Sequence, residues 1–287
     1  HLPEEDDSSC PAPLYRVWSS VCAAIPMKAV PGTSASAWFM IGYNDLDSVE
    51  FLKRRLSGYW TLFQTDFSTL LTVAKEEYAA LRKECEAFDA ELLADAEAFG
   101  GADYAKLLAG AFRQSIAAHK LVADIDGTPL FFSKENFSNG CIATVDVTYP
   151  SAPLYLLMQP ALLKGMLIPI LDYASSCKWR FPFAPHDLGT YPLANGQVYG
   201  GGERTEENQM PVEECGNMLI LAAALAKFTD DLSFLRKYEP VFRKWAEYLA
   251  DKGYDPENQL CTDDFAGHLA HNTNLSIKAI LALGGWS

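Results

Sequence analysis

Positive charge is what this 287-residue chain has least of: Lys and Arg total 23 against 37 Asp and Glu, a formal net charge of −14. Nucleic-acid phosphates demand a basic face, so a nucleic-acid partner is disfavoured. An anionic membrane surface offers such a chain no attraction either. No run of 18 apolar residues occurs, so no membrane span is expected. The opening HLPEEDDSSC is acidic and polar, without the basic and then apolar pattern of a signal peptide.

Other signatures are missing too. The seven cysteines (Cys10, Cys22, Cys85, Cys141, Cys177, Cys215 and Cys261) form no CxxC pair and are too sparse for a disulfide framework. Their odd number leaves at least one unpaired or intermolecular, so the redox compartment stays open. No GxSxG is present, which removes the α/β-hydrolase nucleophile. Gly200-Gly201-Gly202 is followed by no Lys-Ser or Lys-Thr, so it reads as a tight turn rather than a phosphate cradle. His268 and His271 are spaced i,i+3 rather than the i,i+4 of a helical zinc motif, and no third ligand is implied. No metal and no cofactor are expected.

What remains is a globular composition, 49% apolar and 21% charged, able to bury a sizeable core. Residues 1–45 are Pro-, Ser- and Ala-rich without sustained period and read as a linker, or as the tail of an upstream β-rich domain. Ala37–Tyr43 (AWFMIGY) reads as a strand. From Asp66 to Phe99, Phe67, Leu70, Ala74, Tyr78, Leu81, Cys85, Phe88 and Leu92 recur at spacings of three and four. That predicts a helix roughly 50 Å long at 1.5 Å per residue, capped by Thr65 or Asp66 and stopped by Gly100-Gly101. A thiol on that stripe, Cys85, is expected to be buried.

A second helix over 103–120 would fold back as an antiparallel hairpin, with His119 on its apolar stripe as a core histidine. Val122–Phe132 alternates around Asp126-Gly127, a β-hairpin signal. Leu219–Ala226 is apolar on all sides, and Leu275–Leu283 is so apart from Ser276 and Lys278. Leu232–Leu249 between them is amphipathic, with Leu235, Tyr238, Phe242, Trp245 and Leu249 on one face. An all-apolar helix must be surrounded by protein, whereas an amphipathic one can face water. Alternating inner and outer helices describe a mainly α fold, an α/α toroid of antiparallel hairpins over 46–287 with a minor β-hairpin. A plain helical bundle is the alternative.

In such a ring the segments entering the inner helices open at one end. Gln209–Glu214 and Cys261–Asn274 would therefore deliver carboxylates to one mouth, near helix N-termini that favour anions. Glu213 and Glu214 follow Pro211, with Gly216, Asn217 and Gln209 as company instead of Lys partners; ordinary first-turn acids are the plain alternative. Of Asp263 and Asp264, one caps a coming helical turn, or else mutual repulsion raises one pKa toward neutrality for acid/base work. Asp187 lies in a loop with no period to absorb it; an Asp held by backbone N–H groups is its structural alternative. These five are the catalytic candidates. Glu135, Asn136, Asp146, Tyr149, Trp179, His186, Tyr191, Gln209 and His268 sit in the same loops as candidates to bind substrate. Aromatic walls with carboxylate poles suit a polar, uncharged ligand such as a sugar or a carboxamide. Asn136-Phe137-Ser138 and Asn274-Leu275-Ser276 match the glycosylation sequon.

The motifs SKENFSNGCIATVDVTYPSAP, KGMLIPILDYA, FPFAPHDLGTYPLANGQVYGG, MPVEECGNM and TDDFAGHLAHNTNLSIKAI resemble the six-hairpin domain of the glutaminase A family, from about Trp38 onward. The resemblance implies an α/α toroid beside N-terminal β-rich domains, hydrolysis of L-glutamine to L-glutamate and ammonia, and a secreted or periplasmic location. The family shares its fold with many glycoside hydrolases. A glycoside hydrolase with paired carboxylates is therefore the second expectation, and a non-catalytic binding domain the third. The β-rich part is essentially missing here and the helices fall short of a closed ring, so the chain is expected to be a fragment. The missing β-rich domain is expected to pack on the toroid. The partner expected besides is a small-molecule substrate, glutamine or a sugar.

Overall fold

The computed structural model describes residues 24–28, 30–64, 66–135, 139–262 and 267–287. The chain divides into residues 1–43 and 44–287. The described part of the first unit contains no helix or strand, so Ala37–Tyr43 forms none.

The second unit is mainly α, built of antiparallel helical hairpins with a small β part. The first hairpin is α1 (Phe67–Gly100) and α2 (Ala102–Ala117). Asp66 caps α1 by accepting the Thr69 N–H at 2.8 Å, and Gly101, at φ +83°, reverses the chain in a single residue. The stripe on α1 has helical period but is largely not buried: Tyr78, Leu81, Cys85 and Phe88 are exposed, and only Ala96 is fully covered. Period specifies the element; whether a face is covered depends on a neighbour that the period does not reveal.

His119 leaves the helix and begins β3 (His119–Ala123), which pairs antiparallel with β4 (Pro129–Ser133). The turn closes at Asp124–Thr128, as the Asp-Gly signal predicts. His119 is nevertheless a core histidine, stacked on Phe131. A second sheet joins β1 (Val49–Phe51), β2 (Arg54–Leu56), β5 (Gly189–Thr190) and β6 (Leu193–Ala194) in the order β2-β1-β6-β5, with β1 parallel to β6. Strands of two or three residues lack the length for a readable alternation.

Two further helices are α3 (Val145–Met158) and α4 (Pro160–Ala174). The sequence from Ser133 to Pro153 reads as loop, yet its second half is α3, with Pro150 and Pro153 inside the helix. Burial of Val145, Thr148, Ala152 and Tyr155 on one face outweighs the two lost backbone donors. α4 lies directly on β4: a Cβ at Gly165 would come within 2.7 Å of the Pro129 carbonyl. The predicted amphipathic helix is divided at Tyr238 into α6 (Ser233–Lys237) and α7 (Glu239–Lys252), where Pro240 starts a new first turn. Tyr238, Phe242, Trp245 and Leu249 are buried as expected. α5 (Pro211–Thr229) packs against α3, α4, α7 and α8 (Thr273–Trp286), which makes it the central helix.

Candidate functional site

The N-terminal end of α5 is where buried charge collects. Pro211 opens the helix, and the free Val212 N–H is taken by the Gln259 side chain at 3.0 Å. One turn in, Glu213 and Glu214 are both 0% exposed. Glu213 Oε1 accepts Lys278 Nζ at 2.5 Å, Thr262 Oγ1 at 2.5 Å and Asn217 Nδ2 at 3.0 Å. Glu214 Oε2 accepts the same Asn217 amide at 3.2 Å. Their other oxygens, Glu213 Oε2 and Glu214 Oε1, and Asn217 Oδ1 have no hydrogen-bond partner among the described residues.

Lys278 comes from α8, 7% exposed, and its Nζ also lies 4.5 Å from the centre of the Tyr149 ring on α3. Its stem passes Gly216, where a Cβ would stand 2.6 Å from Lys278 Cγ. Glycine at 216 is therefore what lets α8 send a cation across α5.

The second half of the cluster is held by a loop crossing the start of α3. The Val145 N–H donates to the His186 carbonyl at 2.8 Å, the Leu188 N–H to the Ile142 carbonyl and the Ile142 N–H to the Gly189 carbonyl, both at 3.0 Å. This seats His186 beside Asp146 in the first turn of α3. The imidazole lies between two carboxylates, Nδ1 3.1 Å from Asp187 Oδ2 and Nε2 3.5 Å from Asp146 Oδ1, and is stacked 3.9 Å from the Tyr199 ring. Asp187 is saturated, accepting the N–H groups of Gly189, Val198 and Tyr199 besides His186. Its structural alternative is what the geometry displays, and it orients the imidazole.

Electrostatics separate these groups. Burial raises the Glu214 carboxyl well above the usual carboxylate range, and the charges of Asp146 and Glu213 push it further. The helix dipole works the other way, but about 0.3–1 kcal/mol at a helix start is small beside the cost of a desolvated charge. For His186 burial pulls the pKa down. The hydrogen bond that the imidazole donates to Asp187 and the charges of Asp146, Asp187 and Glu135 outweigh that, so it is raised. Both shifts favour the protonated forms, so the arrangement sets a carboxyl that holds its proton and an imidazole that gains one beside Asp146. That is the pairing acid/base chemistry needs. Asp146, His186 and Glu214 each bring a ligand atom within 4.8 Å of the others, as do Cys141, His186 and Asp187, so either set has the spacing to hold a metal ion.

The structure thus brings together Asp146, Tyr149, His186, Asp187, Glu213 and Glu214 from the sequence candidates, with half-buried Glu135 near enough to act on His186. Gln209 is buried, its amide tied to Gln197, Gly202 and Thr205, where it holds the glycine-rich loop together. Trp179 is core: its indole N–H donates to the Phe183 carbonyl at 2.6 Å among the rings of Tyr173, Phe181 and Phe183. Tyr191 is half-buried beneath Lys134, and His268 is exposed. Asn136, Asp263 and Asp264 lie outside the described residues. Two surface hollows, about 620 Å³ around Gly189–Arg204 and about 520 Å³ along the α1–α2 hairpin, include none of the cluster's side chains. Lys278 is the residue missing from the sequence candidates. Its signal was present, since it is the sole charged residue of α8.

Comparison with known proteins bears on this cluster. Residues 101–287 match the model of the glutaminase A six helical-hairpin domain, and residues 1–95 match a domain of unknown function, DUF5127. Glutaminase A of Aspergillus oryzae is 35% identical over 257 residues, covering 88% of this chain and 36% of that protein. A protein of Arthroderma benhamiae named as a probable glutaminase is 27% identical over 310 residues, covering 87% of this chain and 35% of its own length. The chain spans about a third of the length of these relatives.

Proposed function

The chain belongs to the glutaminase A family, and from that premise we propose that it carries the acid/base site of a glutaminase-type hydrolase, turning L-glutamine and water into L-glutamate and ammonia. One observation carries the assignment of roles. Glu214 is fully buried with a raised pKa, and it keeps one oxygen without a partner beside Asp146 and His186.

In this reading Asp146 is the base. It takes a proton from a water molecule as the water oxygen bonds to the side-chain amide carbon. His186, held by Asp187, positions Asp146. Glu214 is the acid, passing its proton to the amide nitrogen as the carbon–nitrogen bond breaks and ammonia leaves. Proton exchange with water then restores both carboxyls. General acid or base catalysis by one such group is worth about 10²–10⁴-fold.

Ammonia release from L-glutamine tests the roles. Glu214→Gln and Asp146→Asn should each lose at least about 100-fold in kcat while melting cooperatively. A folded Glu214→Gln protein of undiminished activity sinks the acid assignment. A folded wild-type protein that releases no ammonia sinks the hydrolase reading itself. From the same family relationship we propose a secreted or periplasmic location, which fractionation of the source cells would check.

A further inference from the structure

We propose, resting on the hydrolase reading above, that Glu213 and Asn217 form a subsite for the α-ammonium group of a free amino-acid substrate. The two residues are spaced i,i+4, one turn apart on the same face of α5. Each is 0% exposed, and each keeps one acceptor oxygen unpartnered among the described residues, Glu213 Oε2 and Asn217 Oδ1. Carboxylate and amide oxygens can only accept, so what completes them must donate. A buried acceptor left without a donor is costly, which makes this pair a demand for a ligand as much as a feature of the fold.

Charge narrows the donor. Asp146, Asp187 and Glu213 face His186 and Lys278 in the buried cluster, so with Glu214 neutral at least one negative charge is in excess. A primary ammonium supplies the missing positive charge and three N–H donors. A sugar hydroxyl supplies no charge, and an acylated α-nitrogen supplies neither the charge nor more than one donor. The placement also suits the reaction. Successive helix residues point about 100° apart, so Glu214 lies beside Asp146 and His186 while Glu213 turns toward Lys278 and Thr262, with the Asn217 amide bridging the two glutamates. One end of the substrate would be held as its side-chain amide reacts at the other. Exposed Thr262, which donates to Glu213, places the subsite one side chain beneath the surface.

The experiment compares L-glutamine with Nα-acetyl-L-glutamine, by ammonia release and by calorimetric binding to the purified protein. Acetylation should lower kcat/KM by at least about 100-fold, because a site built to bond a polar group rejects an analogue lacking it. Asn217→Leu, of nearly the same volume, should raise KM for L-glutamine at least about tenfold and shrink the discrimination; Glu213→Gln should do the same if it folds. Equal kcat/KM for the two amides, or an unchanged KM in folded Asn217→Leu, overturns the subsite while leaving the hydrolase reading intact. If neither amide is hydrolysed, the hydrolase reading falls and calorimetry decides the subsite. L-Glutamine binding abolished by acetylation and by Asn217→Leu supports it; equal binding of both, or none, overturns it.

Discussion

Lys278 on α8 crosses α5 over Gly216 and ends 2.5 Å from Glu213, a fully buried carboxylate one turn into that helix. The pair joins the two helices and gives one of two adjacent glutamates a fixed cation. Glu214, with no such cation in hydrogen-bond reach among the described residues, is instead raised by burial and by its acidic neighbours. Neighbours in sequence have become opposites in chemistry, and the consequences can be measured.

Gly216→Ala places a methyl 2.6 Å from Lys278 Cγ, with the crowded atoms in the stem of the side chain rather than at its tip. Overpacking of this kind costs about 1–3 kcal/mol. Urea denaturation should report that loss, together with a rise in KM as Lys278 is displaced from Glu213. A variant as stable as wild type would mean that α8 does not approach α5 this closely at Gly216.

Lys278→Met keeps the volume and removes the charge, leaving Glu213 buried without a cation. Breaking a buried pair from one side costs about 3–5 kcal/mol. The double variant Lys278→Met/Glu213→Gln should recover most of that loss, since the unpaired charge goes too. A double-mutant cycle with no coupling energy would contradict the pairing.

His119 links stability to pH. Burial lowers its pKa to about 4 from an ordinary 6.5, so between those values the unfolded chain binds a proton that the folded protein refuses. Stability therefore falls as pH drops from about 6.5 toward 4, by up to about 3 kcal/mol for a shift of this size. His119→Gln should flatten the acid limb of a plot of Tm against pH. An unchanged limb would assign the acid sensitivity to other groups.

Glu214 acts in the opposite direction. Its folded-state pKa is raised, so its stabilising contribution is complete below the unfolded value, near 4.5. That contribution is lost as pH rises through the folded value. Glu214→Gln should thus gain stability relative to wild type as pH increases. In the hydrolase reading the wild-type rate declines over the same interval, because the acid has lost its proton. A Tm difference between the two proteins that stays constant with pH would show that Glu214 does not titrate there.

Much of the fold was legible in the residues themselves, because local spacing is a local property. The three- and four-residue period specified α1, Asp126-Gly127 specified the β3–β4 turn, and the apolar stretches specified α5 and α8 as helices; α5 is covered over Leu219–Ala226, but α8, expected to be enclosed, leaves Ile277, Ile280 and Leu281 exposed on one side. The site was half legible. Asp187 stood out as a carboxylate that no period absorbed, Glu213 and Glu214 by their Gly216, Asn217 and Gln209 company, and Asp146 and His186 by their loops. Which carboxylate would be neutral, which would be saturated by backbone and which would be paired depended on contacts between residues far apart in sequence. Glu213 meets Lys278 across 65 positions, and Asp187 meets the Val198 and Tyr199 N–H groups only once the loop closes. Spacing along a chain encodes the helix and the turn. Only tertiary packing removes water from a carboxyl and sets a cation beside one glutamate and not the next, and that difference in surroundings makes the two acids unlike.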